Sequence, residues 1–220
     1  DDDKGIWQLR LSDGREMSSR FVILAIGLLS QPTLPNIQGM DDFKGPSFHT
    51  YYWPHEGVDL KGKKVGIIGT GATAIQIIPV IAEEAEELYV FQRRPNWSAP
   101  LNNSEISDAE MTDIRSRYDE IFENCSLSPG GFEHRPDRRS FYDVSREERL
   151  ALWDRLYDEP GFGIWLANFR EIFMDEAANA EFSEYIADRI RQRVKDPETA
   201  DKLIPKDHGF GVQRVPLETR

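Results

Sequence analysis

A strand, a glycine turn, a helix and a second strand follow one another at residues 64–91, and this run constrains the fold more than any other stretch. Lys64 to Ile68 reads KVGII, an apolar run of strand length. GTGATA follows at 69–74, and a helical pattern then runs from Ala72 to about Glu87, with Ala74, Ile75, Ile78 and Ile81 on one side. Leu88 to Phe91 again reads as a strand. This order predicts a βαβ unit with parallel strands, the first of them buried, and a right-handed crossover.

In that context each small residue of GTGATA has a task. Gly69 permits a tight turn, Gly71 lets backbone N–H groups meet a pyrophosphate, and Ala74 lets the helix pack closely on the strand. The helix N-terminus adds positive partial charge for phosphates. Gly69, Thr70, Gly71, Ala72, Thr73 and Gln76 are the candidate contacts of a dinucleotide. A glycine turn in some other α/β fold is the alternative.

The end of the second strand separates one coenzyme from another. A carboxylate there would bond ribose hydroxyls, but this chain has Gln92-Arg93-Arg94. The planar, permanently charged guanidinium suits a 2′-phosphate, so NADP(H) is expected rather than NAD(H). Arg93 is the stronger candidate because it comes first after the strand, and Arg94 stands beside it.

Composition removes several classes. A net charge of −12 over 220 residues argues against a nucleic-acid partner. Cys125 is the only cysteine, so an intrachain disulfide and a Cys-x-x-Cys redox pair are both excluded; it reads as a small packed apolar residue. The four histidines show no paired ligand spacing, and no metal is expected. No apolar run approaches the ~20 residues that span a bilayer, and no signal peptide is recognisable, so a cytoplasmic protein without membrane partners is expected.

Elsewhere the pattern is regular. Ile6 to Leu11 and Arg15 to Ser18 read as strands around the hairpin signal Asp13-Gly14. Phe21 to Ile26 is a continuous apolar run ending at Gly27, and reads as a buried strand. From about Ser104 to Leu203 the chain is mainly helical. Ser145-Arg146-Glu147-Glu148 forms a capping box for a helix through about Tyr157, Asp175 to Val194 carries helical spacing, and Asp196-Pro197-Glu198 starts a short helix. Lys206 to Gln213 reads as a loop, and Val215 to Arg220 as extended.

Residues 43–54 read FKGPSFHTYYWP, which fits F-x-G-x-x-x-H-x-x-x-W-P. On chemistry alone His49 and Trp53 read as packed residues. The string resembles the fingerprint of the flavin-dependent Baeyer–Villiger monooxygenases, whose sequences are also similar at Phe21 to Gly27, at VFQRRPNW (90–97), at 175–179 and at 205–207. The resemblance runs over essentially the whole chain. It implies FAD and NADP(H) as cofactors, and a ketone and O2 as substrates, the product being an ester or lactone. It implies that Phe43, Gly45, His49, Trp53, Pro54 and Gly27 belong to the linker and its flanks. It makes Arg214 the catalytic residue near the flavin. Read unaided, Arg214 is an ordinary surface arginine. The residue before it is commonly lysine in the family, and here it is the neutral Gln213, a candidate coenzyme contact. Arg94 stands where the family often has a small hydroxyl residue and could compensate in charge.

The expected fold class is α/β, a Rossmann-like βαβ core with a helical insertion and part of an FAD-domain β-meander. The expected divisions are 1–30 (partial FAD domain), 31–54 (linker), 55–103 (first part of the NADPH domain), 104–205 (helical insertion) and 206–220 (a loop and the start of the return). Only one glycine-rich fingerprint is present, so the rest of the same polypeptide is expected to supply the FAD domain. Two alternatives stay open: a flavin monooxygenase that oxidises nitrogen or sulfur, against which Trp53-Pro54 and Arg214 argue, and a non-catalytic NADPH-binding module.

Overall fold

A computed structural model describes residues 4–27, 29–128, 130–213 and 215, and the backbone of 217–218. The chain divides into two compact units, Asp1–Val58 and Asp59–Arg220.

The first unit opens on a hairpin. Strand β1 (Trp7–Arg10) pairs antiparallel with β2 (Glu16–Ser19), with Trp7 opposite Ser19 and Leu9 opposite Met17. The turn is fixed by Gly14 at φ +87° and by the Asp13 carboxylate, which accepts from the Arg15 backbone N–H at 3.0 Å and from its Nε at 2.7 Å. The apolar run at 21–26 differs from expectation. It lies in no strand, and Phe21 and Ile23 are 79% and 92% exposed. A continuous apolar run signals a strand flanked and covered on both faces; among the described residues no strand pairs with it. Two single turns of 3₁₀ helix, Met40–Asp42 and Thr50–Tyr52, shape the remainder.

The second unit contains the βαβ element. Strand β3 (Lys64–Ile68) is followed by helix α1 (Ala72–Glu84) and by β4 (Glu87–Phe91), which runs parallel to β3 with Lys64 opposite Glu87 and Ile68 opposite Phe91. The helix ends a turn earlier than its apolar pattern predicts. Glu86 N–H already donates to Lys63 O at 2.9 Å, and Lys64 Nζ pairs with Glu87 across the strands at 2.6 Å, drawing this stretch into the sheet. β3 also differs from the expected buried strand. Val65 and Ile67 are half-buried, whereas Ile68, facing the other way, is 69% exposed, because no described element covers that face.

Downstream, β5 (Ala99–Pro100) pairs parallel with β6 (Leu217–Glu218). Between them lie α2 (Asp108–Ser116), α3 (Tyr118–Ser126, with Cys125 half-buried), α4 (Arg146–Asp158), α5 (Gly163–Leu166), α6 (Glu176–Arg193) and α7 (Pro197–Leu203). Capping follows the sequence. Ser145 and Glu148 exchange bonds at the start of α4, and the Asp175 and Asp196 carboxylates cap α6 and α7. Ser107 and Glu110 form a second capping box on α2 that the reading above does not single out.

The core of this unit lies among these helices. Trp153, Leu156, Phe169, Ile172, Phe182, Ile186 and Phe210 are all essentially inaccessible, and Trp97 and Ala99 join them from the segment after β4. Each such side chain contributes roughly 1.5–3 kcal/mol on burial. The polar groups they enclose are satisfied: Trp153 Nε1 donates to Asn168 Oδ1 at 3.0 Å, and Asn168 Nδ2 donates to Ile164 O at 3.2 Å. The architecture is mixed α/β, as expected.

Candidate functional site

The glycine turn closes the β3 end of the parallel pair. Gly69 N–H donates to Phe91 O at 2.8 Å, and its φ of +102° lies in a region that L side chains rarely adopt. Gly71 is the residue before α1, and its carbonyl accepts the helix's bond from Ile75 N–H at 3.0 Å. No side chain caps this helix, and no acidic residue stands in its first turn. A Cβ built on Gly69 or Gly71 would meet no atom within 4 Å. The first-turn N–H groups therefore face an open, uncapped end with positive partial charge, a geometry that fits a pyrophosphate. Thr70 is half-buried and its carbonyl accepts from Asn96 Nδ2 at 3.2 Å; Ala72 and Thr73 are exposed; Gln76 Nε2 donates back to Ala72 O at 2.9 Å.

Two arginines follow β4 and differ in their surroundings. Arg93 is exposed and makes no hydrogen bond or ion pair with the described residues. Arg94 Nη1 lies 3.6 Å from Asp207 Oδ2. The other oxygen of Asp207 accepts from His208 Nδ1 at 2.7 Å, and this bond, helped by the Arg94 charge, holds the Asp207 carboxyl below the usual carboxylate range. Trp97, buried, donates its indole N–H to His208 O at 2.9 Å.

The loop after Asp207 is held on its other side by α6. Phe210 is fully buried, its N–H donates to Ser183 Oγ at 2.9 Å, and Asn179 Nδ2 donates to Phe210 O at 2.8 Å. A side chain at Gly209 would collide with Asn179 Oδ1, and Gly211, at φ +78°, is pressed against Phe173. Gln213 emerges exposed from this loop. Arg214, the candidate catalytic residue, lies outside the described residues.

The sequence fingerprint lies in the first unit. His49 is half-buried, and its Nδ1 accepts from Tyr51 N–H at 3.0 Å, a cap on the Thr50–Tyr52 turn. Trp53 packs its ring edge-on to Phe48 at 5.3 Å, and Pro54 O accepts from Gly57 N–H at 3.0 Å. Phe43 lies over Gly45, where a Cβ would come within 2.6 Å of its ring, and Gly27 has φ +73°. His49 thus has the hydrogen bond that its chemistry alone suggested but is only half-buried, and Trp53 is 36% exposed, so neither is a core residue.

Asn96, Trp97, Asp207 and His208 join the site without having been singled out as contacts. The links of Trp97 and Arg94 to His208 and Asp207 cross more than a hundred residues, and no local spacing encodes them. Among the described residues, no group of three His, Cys, Asp or Glu side chains could hold a metal ion, and no helix is long and apolar enough to cross a membrane.

No protein-family model matches the chain. Curated relatives do. It is 48% identical over 220 residues to 2-oxo-Δ3-4,5,5-trimethylcyclopentenylacetyl-CoA monooxygenase of Pseudomonas putida, covering 97% of this chain and 40% of that protein. It is 36% identical to a Baeyer–Villiger monooxygenase of Pseudooceanicola batsensis, over 92% of this chain and 37% of the relative. A phenazine N-monooxygenase of Lysobacter antibioticus is 37% identical over the same shares. Among solved structures, OTEMO in complex with FAD and NADP superposes with a TM-score of 0.93 at 47% identity, covering 100% of this chain and 42% of that one. The chain therefore spans about two-fifths of the length of the relatives it matches, and over that span it is similar to Baeyer–Villiger monooxygenases.

Proposed function

We propose that this chain is the NADPH-binding part of an FAD-dependent Baeyer–Villiger monooxygenase that uses NADPH and O2 to insert an oxygen atom beside a ketone carbonyl, giving an ester or lactone. One observation carries the reading: an open glycine cradle at the head of an uncapped helix, with Arg93, unpaired among the described residues, just past the neighbouring parallel strand. Similarity to a structure that holds both FAD and NADP supports it.

In this reading residues 1–30 belong to the FAD domain, 31–54 to the linker, 55–103 to the first part of a Rossmann-type NADPH domain, 104–205 to a helical insertion, and 206–220 to the loop and return. The rest of the same polypeptide completes the FAD domain and the ketone pocket. Bound FAD supplies the oxygen chemistry, which no amino-acid side chain can provide. The chain's own residues bind and orient. Backbone N–H groups at Gly71, Ala72 and Thr73 hold the pyrophosphate, with Gly69, Thr70 and Gln76 shaping the turn. Arg93 forks onto the 2′-phosphate, Arg94 stands beside it turned toward Asp207, and Gln213 offers a neutral amide. Arg214 places a permanent cation where anionic charge develops during oxygen insertion. Phe43, Gly45, His49, Trp53 and Pro54 stiffen the linker, and Gly27 turns the chain ahead of it. A cytoplasmic setting is part of this proposal.

The 37%-identical phenazine N-monooxygenase favours a second reading, nitrogen oxidation with the same cofactors; Trp53-Pro54 and Arg214 favour the ketone. The coenzyme assignment is tested in the full-length enzyme. Arg93→Ala should lower kcat/KM for NADPH by roughly 10- to 100-fold, as for loss of a charge-assisted phosphate contact, and change that for NADH by less than about 3-fold, the residual scale of a contact not made. Equal losses for both coenzymes remove the 2′-phosphate assignment. A ketone and a thioether or aromatic amine offered together, with products identified by mass, separate the two oxidations.

A further inference from the structure

We infer that Asp207 is a positioning residue, which ties the loop ending at Gln213 to the coenzyme-selecting end of β4 through Arg94 and His208. The inference rests on the function proposed above and deepens it. Both cations after β4 are available to the 2′-phosphate by position alone, but only Arg93 is unpaired among the described residues. Arg94 reaches 3.6 Å toward Asp207, whose second oxygen is bonded to His208 at 2.7 Å. The His208 ring is 6% exposed, so that end of the link is embedded. Its backbone carbonyl is held by the buried Trp97, three residues beyond Arg94. Asn96, between them, bonds the carbonyl of Thr70 in the glycine turn. One short segment, 94–97, therefore touches both the pyrophosphate cradle and the loop.

The far side of the loop is equally fixed, by Phe210 and Asn179 on α6. With both sides pinned, and Gly209 and Gly211 filling positions where a Cβ would collide, the loop's course is narrowly constrained. The Arg94–Asp207 pair is largely exposed, so its direct contribution to stability is small. Its effect is on direction: it holds Arg94 toward the loop and the loop toward the bound coenzyme. Small misplacements of positioning residues can be costly for rate without being costly for folding.

The test uses full-length, FAD-loaded enzyme and anaerobic stopped-flow reduction of the flavin by saturating NADPH and, separately, NADH. Asp207→Asn and Arg94→Ala should each slow reduction by about tenfold, the scale of a modest misplacement. The slowing should be the same with either coenzyme, and the double variant should be no slower than either single one, as expected for two residues acting through one contact. The NADPH-over-NADH preference in kcat/KM should persist in all three. Wild-type reduction rates in Asp207→Asn overturn the inference. So does a selective loss of NADPH affinity in Arg94→Ala, which would make Arg94 a phosphate ligand instead. Arg93→Ala, run in parallel, reports on the underlying coenzyme assignment, since it alone should abolish the preference.

Discussion

Two glycines two residues apart illustrate how differently the same side chain can be required. Gly69 sits at φ +102°, so its glycine is demanded by the backbone. Gly71 sits at φ −78° and ψ −178°, ordinary extended backbone, and a Cβ there would touch nothing. On the function proposed above, its glycine leaves room for a coenzyme that approaches from outside. Gly69→Ala should therefore destabilise the chain by about 1–2 kcal/mol, the cost of a side chain in the left-handed region. Gly71→Ala should cost less than about 1 kcal/mol, the range of a weaker helix cap, and yet weaken NADPH binding in the full-length enzyme by tenfold or more. Thermal unfolding and coenzyme titration of the two variants check the contrast. Both glycines were legible in the sequence because they stand between a strand and a helix. Arg93 was legible for the same reason, its place after the second strand. Asp207 and His208 were not, since their importance comes from Arg94 and Trp97, which are remote in the chain.

Among elements, those whose signals are local were readable. The Asp13-Gly14 hairpin, the Ser145 capping box, the helices that open near Asp175 and Asp196 and the βαβ order all appear as the sequence indicates. The run at 21–26 did not form a strand, because an apolar strand depends on neighbours that its own residues cannot specify. The contact between α6 and the 206–213 loop was equally hidden. Asn179 reads as an ordinary helical residue, but its amide donates to Ile172 O at 2.7 Å and to Phe210 O at 2.8 Å, and its oxygen accepts from Ser183 at 3.2 Å. Asn179→Ala leaves two carbonyls without this donor. At roughly 1–3 kcal/mol for each unsatisfied buried group, reduced by water entering the space, the loss should be about 2 kcal/mol. Urea unfolding followed by tryptophan fluorescence measures it. A loss under about 0.5 kcal/mol, the level of an ordinary surface change, would show that the loop does not depend on this side chain.

At the scale of the molecule, apolar surface and cofactor sequence point the same way. The helices of the second unit enclose an apolar core, and among the described residues no buried side-chain polar atom lacks a partner. By contrast, Phe21, Ile23, Leu24 and Ile26 of the first unit are exposed in one continuous stretch, and Ile68 and Phe91 are exposed at the facing ends of β3 and β4. Soluble proteins rarely leave large contiguous apolar patches uncovered. The charge of −12 opposes association but leaves these patches uncovered. The sequence also holds a single glycine-rich dinucleotide turn, and it is the one assigned here to NADPH. Purified by itself, the 220-residue chain should therefore bind an apolar dye such as ANS, self-associate as its concentration rises, and carry no flavin. It should not oxidise NADPH with O2. Absorbance at the flavin bands after gel filtration, with light scattering on the same peak, gives the answer directly. One equivalent of FAD retained by this stretch would mean that its residues build a flavin site without a second glycine fingerprint, and would overturn the division of labour proposed between the two coenzymes.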